Sequence, residues 1–270
     1  MATPTSMFVK LKTVFVVLTC IMAVTIVWSV ASDLYASCFY PRAWWMKLTG
    51  THVVVDTVFI TAWFFYKESS WIKTIVYAFL ITGTGSFATC GYIVIQLFKL
   101  SPEESMTDPI YYALAKKHKE LKTPVTTDGS GQHKGRRPYV FLTSIVMVVA
   151  LACTMLTLLI SALIIDGMPF HLELRTLLTQ CFITAVIDMN VHAVVFSVWI
   201  AYKESSWLSS AIWILLLVCF NSITLCVYVL RQLFKLSDSQ PIYLILFNQR
   251  NRDMMMSSSD PLITKHTDNV

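Results

Sequence analysis

Charged residues are scarce in this chain of 270 residues. Asp, Glu, Lys and Arg make up 14% of it, against about 25% in an ordinary soluble domain. Hydrophobic residues make up 56%, and the mean hydropathy is +0.62. The runs 13–32, 74–98 and 139–165 contain no charge at all, and each reaches the ~20 residues that a helix needs to cross ~30 Å of hydrocarbon. These features exclude a soluble globular domain and predict an integral membrane protein.

Several catalytic and ligand-binding signatures are also missing. The sequence has no CxxC, no HExxH, no Asn-x-Ser/Thr sequon, no phosphate-binding loop and no nucleophile elbow. We therefore expect no metal site and no cofactor. Six of the seven cysteines fall in or beside apolar runs and are predicted to be packing residues outside disulfides. The net charge of +5 and the basic clusters, which are short and lie among residues of both charge signs, favour a lipid bilayer as the partner and not a nucleic acid.

The chain contains a tandem duplication. Tyr66-Lys67-Glu68-Ser69-Ser70-Trp71 recurs as Tyr202-Lys203-Glu204-Ser205-Ser206-Trp207, and at this shift of 136 positions 19 of the 49 residues from 53 to 101 match residues 189 to 237 without a gap. A long apolar repeat of this kind is typical of membrane proteins in which two copies of a helix bundle enclose one site.

The apolar pattern predicts an all-α bundle of six transmembrane helices, three in each copy. The six runs are 13–32, a second run ending at 66, 74–98, 139–165, 176–202 and 208–234. The first exceeds the ~7–15 residues of a signal-peptide core and is expected to be a true span. Because three is an odd number, the second copy would be inverted. Lys and Arg are nearly balanced between the two sides of this arrangement, and we place the linker in the cytosol with both termini opposite.

The predicted organisation has four parts. Residues 1–101 form the first three-helix repeat, and 102–138 form a polar, basic linker with a short interfacial helix. Residues 139–247 form the second repeat, and 248–270 form a disordered tail. The linker also includes a disordered segment at 123–135. The sequence does not identify which membrane holds the protein, and it leaves open a homodimer.

Ionisable residues deep in the second helix of each copy are the leading site candidates. Asp188 and His192 are four residues apart and share one helix face. At the matching positions of the first copy the order is exchanged, with His52 aligned to Asp188 and Asp56 aligned to His192. Charged groups inside a membrane are costly and indicate function, and His exchanges protons near neutral pH. The alternative is that each carboxylate is a buried hydrogen-bond partner that holds helices together.

Four further polar residues could contribute to binding. Asn190 and Asn221 could supply amide groups to the same cavity or make interhelical hydrogen bonds. Glu68 and Glu204 persist in both copies and could pair with Arg231 or a nearby Lys, or line the mouth of a cavity. The rest of their motif is explained by interface-anchoring aromatic residues and helix-capping serines. The binding candidates are Asp188, His192, His52, Asp56, Asn190, Glu68 and Glu204, and no catalytic residue is assigned.

The sequence supports three hypotheses about function. The first is a small-solute or proton-coupled carrier with a midplane His/Asp site for an unknown small molecule. The second is a membrane-embedded cyclase or isomerase acting on a lipid-soluble substrate, so enzyme activity stays open. The third is a structural or adaptor protein. A functional site predicts that the two His/Asp pairs converge in a hydrated pocket, whereas a structural role predicts dry packing against hydrogen-bond donors.

The repeated Tyr-Lys-Glu-Ser-Ser-Trp turns, the Gln-Leu-Phe-Lys-Leu-Ser segments and the Pro-Ile-Tyr segments give the chain a family resemblance. It resembles an uncharacterised plant family of multi-pass membrane proteins known only as a domain of unknown function, over nearly its whole length. Each half also resembles small bacterial three-span proteins with an Asp in the second span, a Glu at its end and a Pro-containing tail. That resemblance falls on Asp188, Glu68, Glu204, Pro109 and Pro241, with Asp56 displaced by one turn.

Overall fold

The computed structural model describes residues 4–32, 43–68, 70–115, 133–168, 179–236 and 240–257, and these residues form helices joined by short turns. In the first unit the helices are α1 (Pro4–Ala31), α2 (Trp44–Lys67), α3 (Trp71–Thr84), α4 (Ser86–Phe98), α5 (Pro102–Thr107) and α6 (Pro109–Leu114). In the second they are α7 (His133–Ile165), α8 (Gln180–Lys203), α9 (Trp207–Phe220), α10 (Ser222–Phe234), a 3₁₀ helix (Ile242–Leu246) and α11 (Gln249–Ser257).

Local sequence explains where several helices begin. Ser101 and Glu104 form a capping box at α5, with Pro102 in the first turn. Asp108 caps α6 in the same way by accepting from the backbone N–H of Tyr111. Thr179 caps α8 by accepting from the backbone N–H of Phe182. These caps end the polar turns and fix the start of each helix.

The third apolar run of each unit folds back on itself. The chain reverses at Gly85 (φ 57°, ψ −138°) between α3 and α4, and at Asn221 (φ 40°, ψ −117°) between α9 and α10. Aromatic rings at similar distances along the chain before and after each reversal meet across the hairpin. The ring centroids of Tyr77 and Tyr92 are 4.9 Å apart, and those of Trp213 and Tyr228 are 5.1 Å apart. An arm of 14 residues is about 21 Å long at ~1.5 Å per residue, so each hairpin reaches only the middle of the bundle.

The two units run in the same direction. Ser29, at the end of α1, bonds Thr184, at the start of α8, over 2.6 Å. Trp45, at the start of α2, donates its indole N–H to the carbonyl of Gly167, which follows α7, over 3.0 Å. The starts of α2 and α8 therefore lie at the end of the bundle where α1 and α7 finish.

The ends of α2 and α8 meet at the opposite end of the bundle. Tyr66 of α2 stacks on Tyr243, with centroids 5.0 Å apart. Asn251 bonds both the Tyr202 hydroxyl of α8 (2.6 Å) and the Asp108 carboxylate (3.1 Å). Both hairpins also begin and finish at this end, which we call the hairpin end. The other is called the far end.

The expected six crossings and inverted repeat are not confirmed by this fold. Among the described residues, four helices are long and apolar enough to cross a membrane: Met7–Ala31, Trp44–Lys67, Tyr139–Ile165 and Gln180–Lys203. The runs 74–98 and 208–234 are long enough in sequence, but each is divided by a residue with positive φ. In each unit the two long helices run the length of the bundle, and the hairpin returns to the end from which it starts. Each unit therefore begins and finishes at the same end, so the two copies keep one orientation. The second copy reverses without a glycine because asparagine also tolerates positive φ.

Contacts between the units explain how the bundle is held. The first helix of each unit packs on the second helix of the other, α1 on α8 and α7 on α2, while α2 and α8 pack on each other. Large apolar side chains cover the outside of the first helices and of the hairpins, with exposed fractions of 70% at Val24, 77% at Ile164 and 82% at Phe79. Outward apolar faces of this size are typical of helices in contact with lipid.

Other expectations at the chain's ends and cysteines also change. Residues 249–257 form α11, whose Asn251 and Arg252 are buried, where we expected the tail to begin. Residues 133–135 belong to α7, whereas the expected disorder of 123–132 and of 258–270 lies outside the described residues. The start of α1 lies at the hairpin end, where Lys12 sits 3.6 Å from the centre of the Phe98 ring. The helix α11 lies there too, because its Asn251 bonds Tyr202 at the end of α8. Cys181, at the far end, is disulfide-bonded, contrary to the expectation for the cysteines.

Candidate functional site

Asp188 of α8 holds the tip of the first unit's hairpin. Its Oδ1 accepts from the backbone N–H of Ser86 at 2.5 Å, which is the first N–H of α4 and has no partner within its own helix. The carboxylate lies so close to Gly85 that a Cβ there would come within 2.2 Å of Oδ1. Glycine at this position therefore serves two needs, the positive φ and the close approach of Asp188.

His192 lies one turn further along α8 and is completely buried. Its Nδ1 is 3.4 Å from Asp188 Oδ2, and its Nε2 is 3.4 Å from the Thr89 hydroxyl of α4. Both distances are long for hydrogen bonds, so the ring makes contacts on both sides without a short bond to either. The imidazole is thus placed between the hairpin of one unit and the carboxylate of the other.

The second hairpin tip is held in the reciprocal way by α2. The Ser222 hydroxyl, at the start of α10, lies 2.8 Å from Asp56 Oδ1 and 3.3 Å from the His52 carbonyl oxygen. Asn221, at the reversal itself, donates to the carbonyl of Met189 over 3.3 Å. Each hairpin tip therefore meets the second helix of the other unit.

Asp56 of the first pair comes close to both members of the second pair, and all four His and Asp residues are buried. Asp56 is close enough to interact electrostatically with both His192 and Asp188. Asp56 and His192 have no exposed surface, Asp188 is 4% exposed and His52 is 7% exposed. His52 Nδ1, Asp56 Oδ2 and Ser86 Oγ have no hydrogen-bond partner among the described residues. We call Asp56, Asp188, His192, Ser86 and Ser222 the central cluster.

The other predicted site residues lie elsewhere. Asn190 is exposed and bonds the Val186 carbonyl of its own helix at 2.7 Å, so it faces away from the cluster. Glu68 and Glu204 lie at the hairpin end, where they accept from the hydroxyls of Tyr92 (2.5 Å) and Tyr228 (3.0 Å). Each glutamate therefore ties the returning arm of its own unit's hairpin to the end of the second helix.

Glu204 is also the more strongly stabilised of the two carboxylates. Burial by itself would raise its pKa, but hydrogen bonds from Ser209 and Tyr228 and the charge of Arg231, 3.4 Å away, outweigh burial and lower the pKa below its usual value. This confirms the expected pairing of a repeat glutamate with Arg231. The glutamates belong to the scaffold and not to the central cluster.

Sequence reasoning missed the role of the repeated lysines. Lys67 is buried and donates to the carbonyls of Tyr112 (3.3 Å), Ala113 (2.6 Å) and Ala115 (2.6 Å), at the end of α6. Lys203 donates in the same way to the carbonyls of Ile245 and Phe247. A cation suits these carbonyls because a helix terminus leaves them without partners and partly negative. The identity of the lysine in both copies was the available signal.

A cavity of about 270 Å³ lies between α2 and α8 in the hairpin-end half of the bundle. Its lining is apolar and includes Trp63 and Trp199, a tryptophan pair that the repeat preserves. Ile60 and Phe196 line its inner part, and they follow Asp56 and His192 by one turn on the same helix faces. The central cluster therefore lies immediately beyond the inner end of the cavity. Within the described residues, no group of three or more His, Cys, Asp or Glu side chains could hold a metal ion.

The fold is all-helical, and its four long apolar helices are consistent with an integral membrane protein. The chain belongs to the family described as Protein of unknown function (DUF1475), whose model matches it in two parts, residues 2–121 and 128–253. The division between the two parts falls between the two structural units. No curated protein and no solved structure matches the sequence.

Proposed function

We propose that the protein is a multi-pass membrane protein with four crossings and two re-entrant hairpins that enter the bilayer from one side. The outward apolar faces of α1, α7 and the hairpins support lipid contact. Irregular backbone at membrane depth is tolerated where it is buried in protein. Asn221 is buried and Gly85 is half-buried, and the serine that follows each of them has no exposed surface.

Charge supports placing the hairpin end in the cytosol. Where the structure describes the side chains, one basic residue, Lys47, lies at the far end and ten lie at the hairpin end, an excess that the positive-inside rule assigns to the cytosol. The disulfide-bonded Cys181 at the far end agrees with an oxidising compartment on that side. The ten are Lys10, Lys12, Lys67, Lys73, Lys99, Lys203, Arg231, Lys235, Arg250 and Arg252.

Within this architecture we propose a proton-coupled carrier. The observation that carries the proposal is that the fully buried His192 lies 3.4 Å from Asp188 and close enough to Asp56 to interact electrostatically with it, beside the tips of both hairpins. Parallel repeats around one site and half-helices ending at mid-depth are features of secondary transporters. A change in the protonation of His192 or Asp56 would alter the contacts of both hairpin tips at once, which couples proton exchange to movement of the hairpins.

Proton movement in liposomes tests this function. The wild-type chain is reconstituted with pyranine inside the vesicles, and a potassium diffusion potential set by valinomycin drives protons inward. We expect acidification several-fold faster than in empty liposomes. It should fall to the empty-liposome rate in Asp56→Asn and His192→Ala, because these changes remove the proton-exchanging groups.

Asn190→Ala is the matched control, since Asn190 lies on the same helix but faces away from the cluster. It should keep the wild-type rate. A wild-type rate equal to that of empty liposomes, or unchanged rates in both cluster variants, would contradict the carrier function.

A membrane-embedded cyclase or isomerase is the second candidate, and one observation favours it. The cavity is lined by apolar and aromatic side chains, as a site for a lipid-soluble substrate would be, and a carboxylic acid and an imidazole lie just beyond its inner end. The enzyme and the carrier differ in outcome, because the enzyme would convert a bound lipophile without moving protons across the membrane. A chain that does neither would support the structural or adaptor role.

A further inference from the structure

We propose that the cavity between α2 and α8 is a binding site for a hydrocarbon chain, such as the tail of a short lipophilic alcohol or the acyl chain of a lipid. This inference names the substrate class of the proposed carrier, and it rests on the proposed function only in taking the bound molecule as cargo. The binding site itself rests on the lining, the hydrogen bonds around it and its volume.

The lining is apolar and is built by both units. Ala62 and Val198, Trp63 and Trp199, and Ile93 and Val229 all line the cavity, and each pair is related by the repeat shift of 136 positions. The segments after the hairpins also contribute equivalent positions, such as Leu114 and Leu246. Because the two copies diverged in most other residues but stay apolar here, the cavity is a feature of the duplicated architecture.

The polar groups nearest the lining are already engaged. The indole N–H groups of Trp63 and Trp199 donate to the carbonyls of Leu114 (3.4 Å) and Leu246 (3.1 Å). Neighbouring carbonyls in the same two segments are bound by Lys67 and Lys203. A sugar, an amino acid or an ion would lose its hydration here without gaining hydrogen bonds, which makes its entry unfavourable. A hydrocarbon chain makes no hydrogen bonds to water, so it has none to lose when it enters.

The size and shape of the cavity suit a short chain. Its volume of about 270 Å³ is just below the ~300 Å³ at the lower limit of common ligand pockets. A cavity lined by Leu, Ile and Phe stays dry and takes apolar molecules. The inner end is closed by the buried side chains of Ile60, Phe196 and Leu225. A polar head group would therefore remain at the hairpin end, near the stacked rings of Tyr66 and Tyr243.

Photolabelling of the full chain in nanodiscs tests the site. One arm uses decanol carrying a diazirine on the chain, and the other uses phosphatidylcholine carrying a diazirine in one acyl chain. Labelled residues are mapped by peptide mass spectrometry. We expect labels on cavity residues such as Phe59 or Val195 in at least one arm, and the arm that labels them identifies a free lipophile or a membrane lipid as the source.

Cavity-filling variants provide the comparison. Ala62→Trp and Val198→Trp, tested separately in case one fails to fold, should reduce cavity labelling about tenfold. Ala150→Trp, on the exposed outer face of α7, should leave it unchanged. The absence of cavity labels in both arms, or equal labelling of a folded filling variant, would overturn the inference.

The two proposals fail separately. Cavity labelling without proton movement would leave the hydrocarbon site intact and remove the proton-coupled function. Proton movement with labels confined to the outer faces would leave the proton-coupled function intact and remove the hydrocarbon site.

Discussion

Replacing Gly85 with alanine is expected to lower the free energy of unfolding in detergent micelles by about 3 kcal/mol or more. The positive φ at this reversal costs a residue with a Cβ about 1–3 kcal/mol. The new Cβ would also lie 2.2 Å from Asp188 Oδ1 and 2.7 Å from its Cγ, so the carboxylate must move away from Ser86. Loss of a hydrogen bond to a charged group adds about 1.5–3 kcal/mol. Denaturant titration followed by circular dichroism measures the change.

Two control variants separate the reversal from the rest of the hairpin. Gly83→Ala lies two residues away in α3, where a Cβ would meet nothing within 4 Å, and it should stabilise the helix by about 0.5–1 kcal/mol. Asn221→Gly relieves the positive φ of the second reversal but loses the bond to Met189, so it should change stability by less than about 1 kcal/mol. Equal stability of Gly85→Ala and Gly83→Ala would mean that the chain does not reverse at Gly85.

Asp188→Ala is expected to destabilise the protein by about 2–4 kcal/mol, because it leaves the buried N–H of Ser86 without a partner. Asp188→Asn keeps an oxygen that can accept from this N–H and should cost about 1 kcal/mol or less. The same unfolding titration compares the two. The asparagine variant would thus retain the fold while lacking the titrating group, which separates the structural role of Asp188 from a role in proton exchange.

Asp253→Ala is the control for this pair, since Asp253 is an exposed carboxylate on α11 and its loss should matter by less than about 0.5 kcal/mol. If Asp188→Ala is as stable as Asp253→Ala, the carboxylate does not hold the hairpin tip. In that case the close contact with Gly85 would have no energetic consequence.

Sequence reasoning predicted the duplication, the helical class and the ionisable residues of the central cluster, because each leaves a local signal. It did not name Ser86 or Ser222. Exact repetition reveals the duplicated unit, and apolar length reveals α1, α2, α7 and α8. Ionisable residues at a spacing of four, deep in an apolar run, reveal Asp188 and His192. The exchanged order of His and Asp in the two copies favoured an approach of the two helices at these residues, and Asp56 does lie near Asp188 and His192. The hydrated pocket stays a prediction.

The hairpins could not be predicted in the same way, because a re-entrant hairpin and a crossing helix have the same composition. Residues 74–98 are uncharged over a length that suffices to cross a bilayer, and only the backbone at Gly85 shows that the chain turns back. The counterpart of Gly85 is Asn221, so the two copies share no visible break. Counting each of these runs as one crossing inverts the second copy, and it hides the excess of basic residues at one end of the bundle.

Chemical labelling of the two Lys-Glu-Ser-Ser turns tests the parallel arrangement most directly. The free cysteines at 20, 90, 153, 219 and 226 are replaced by serine, and single cysteines are introduced at Ser70, Ser206 and Met168 in separate chains. A membrane-impermeant maleimide is then applied to sealed vesicles from one side. The account predicts that Ser70→Cys and Ser206→Cys react from the same side and that Met168→Cys, which follows α7 at the far end, reacts from the other. Reaction of Ser70→Cys and Ser206→Cys from opposite sides would contradict it and restore the inverted repeat.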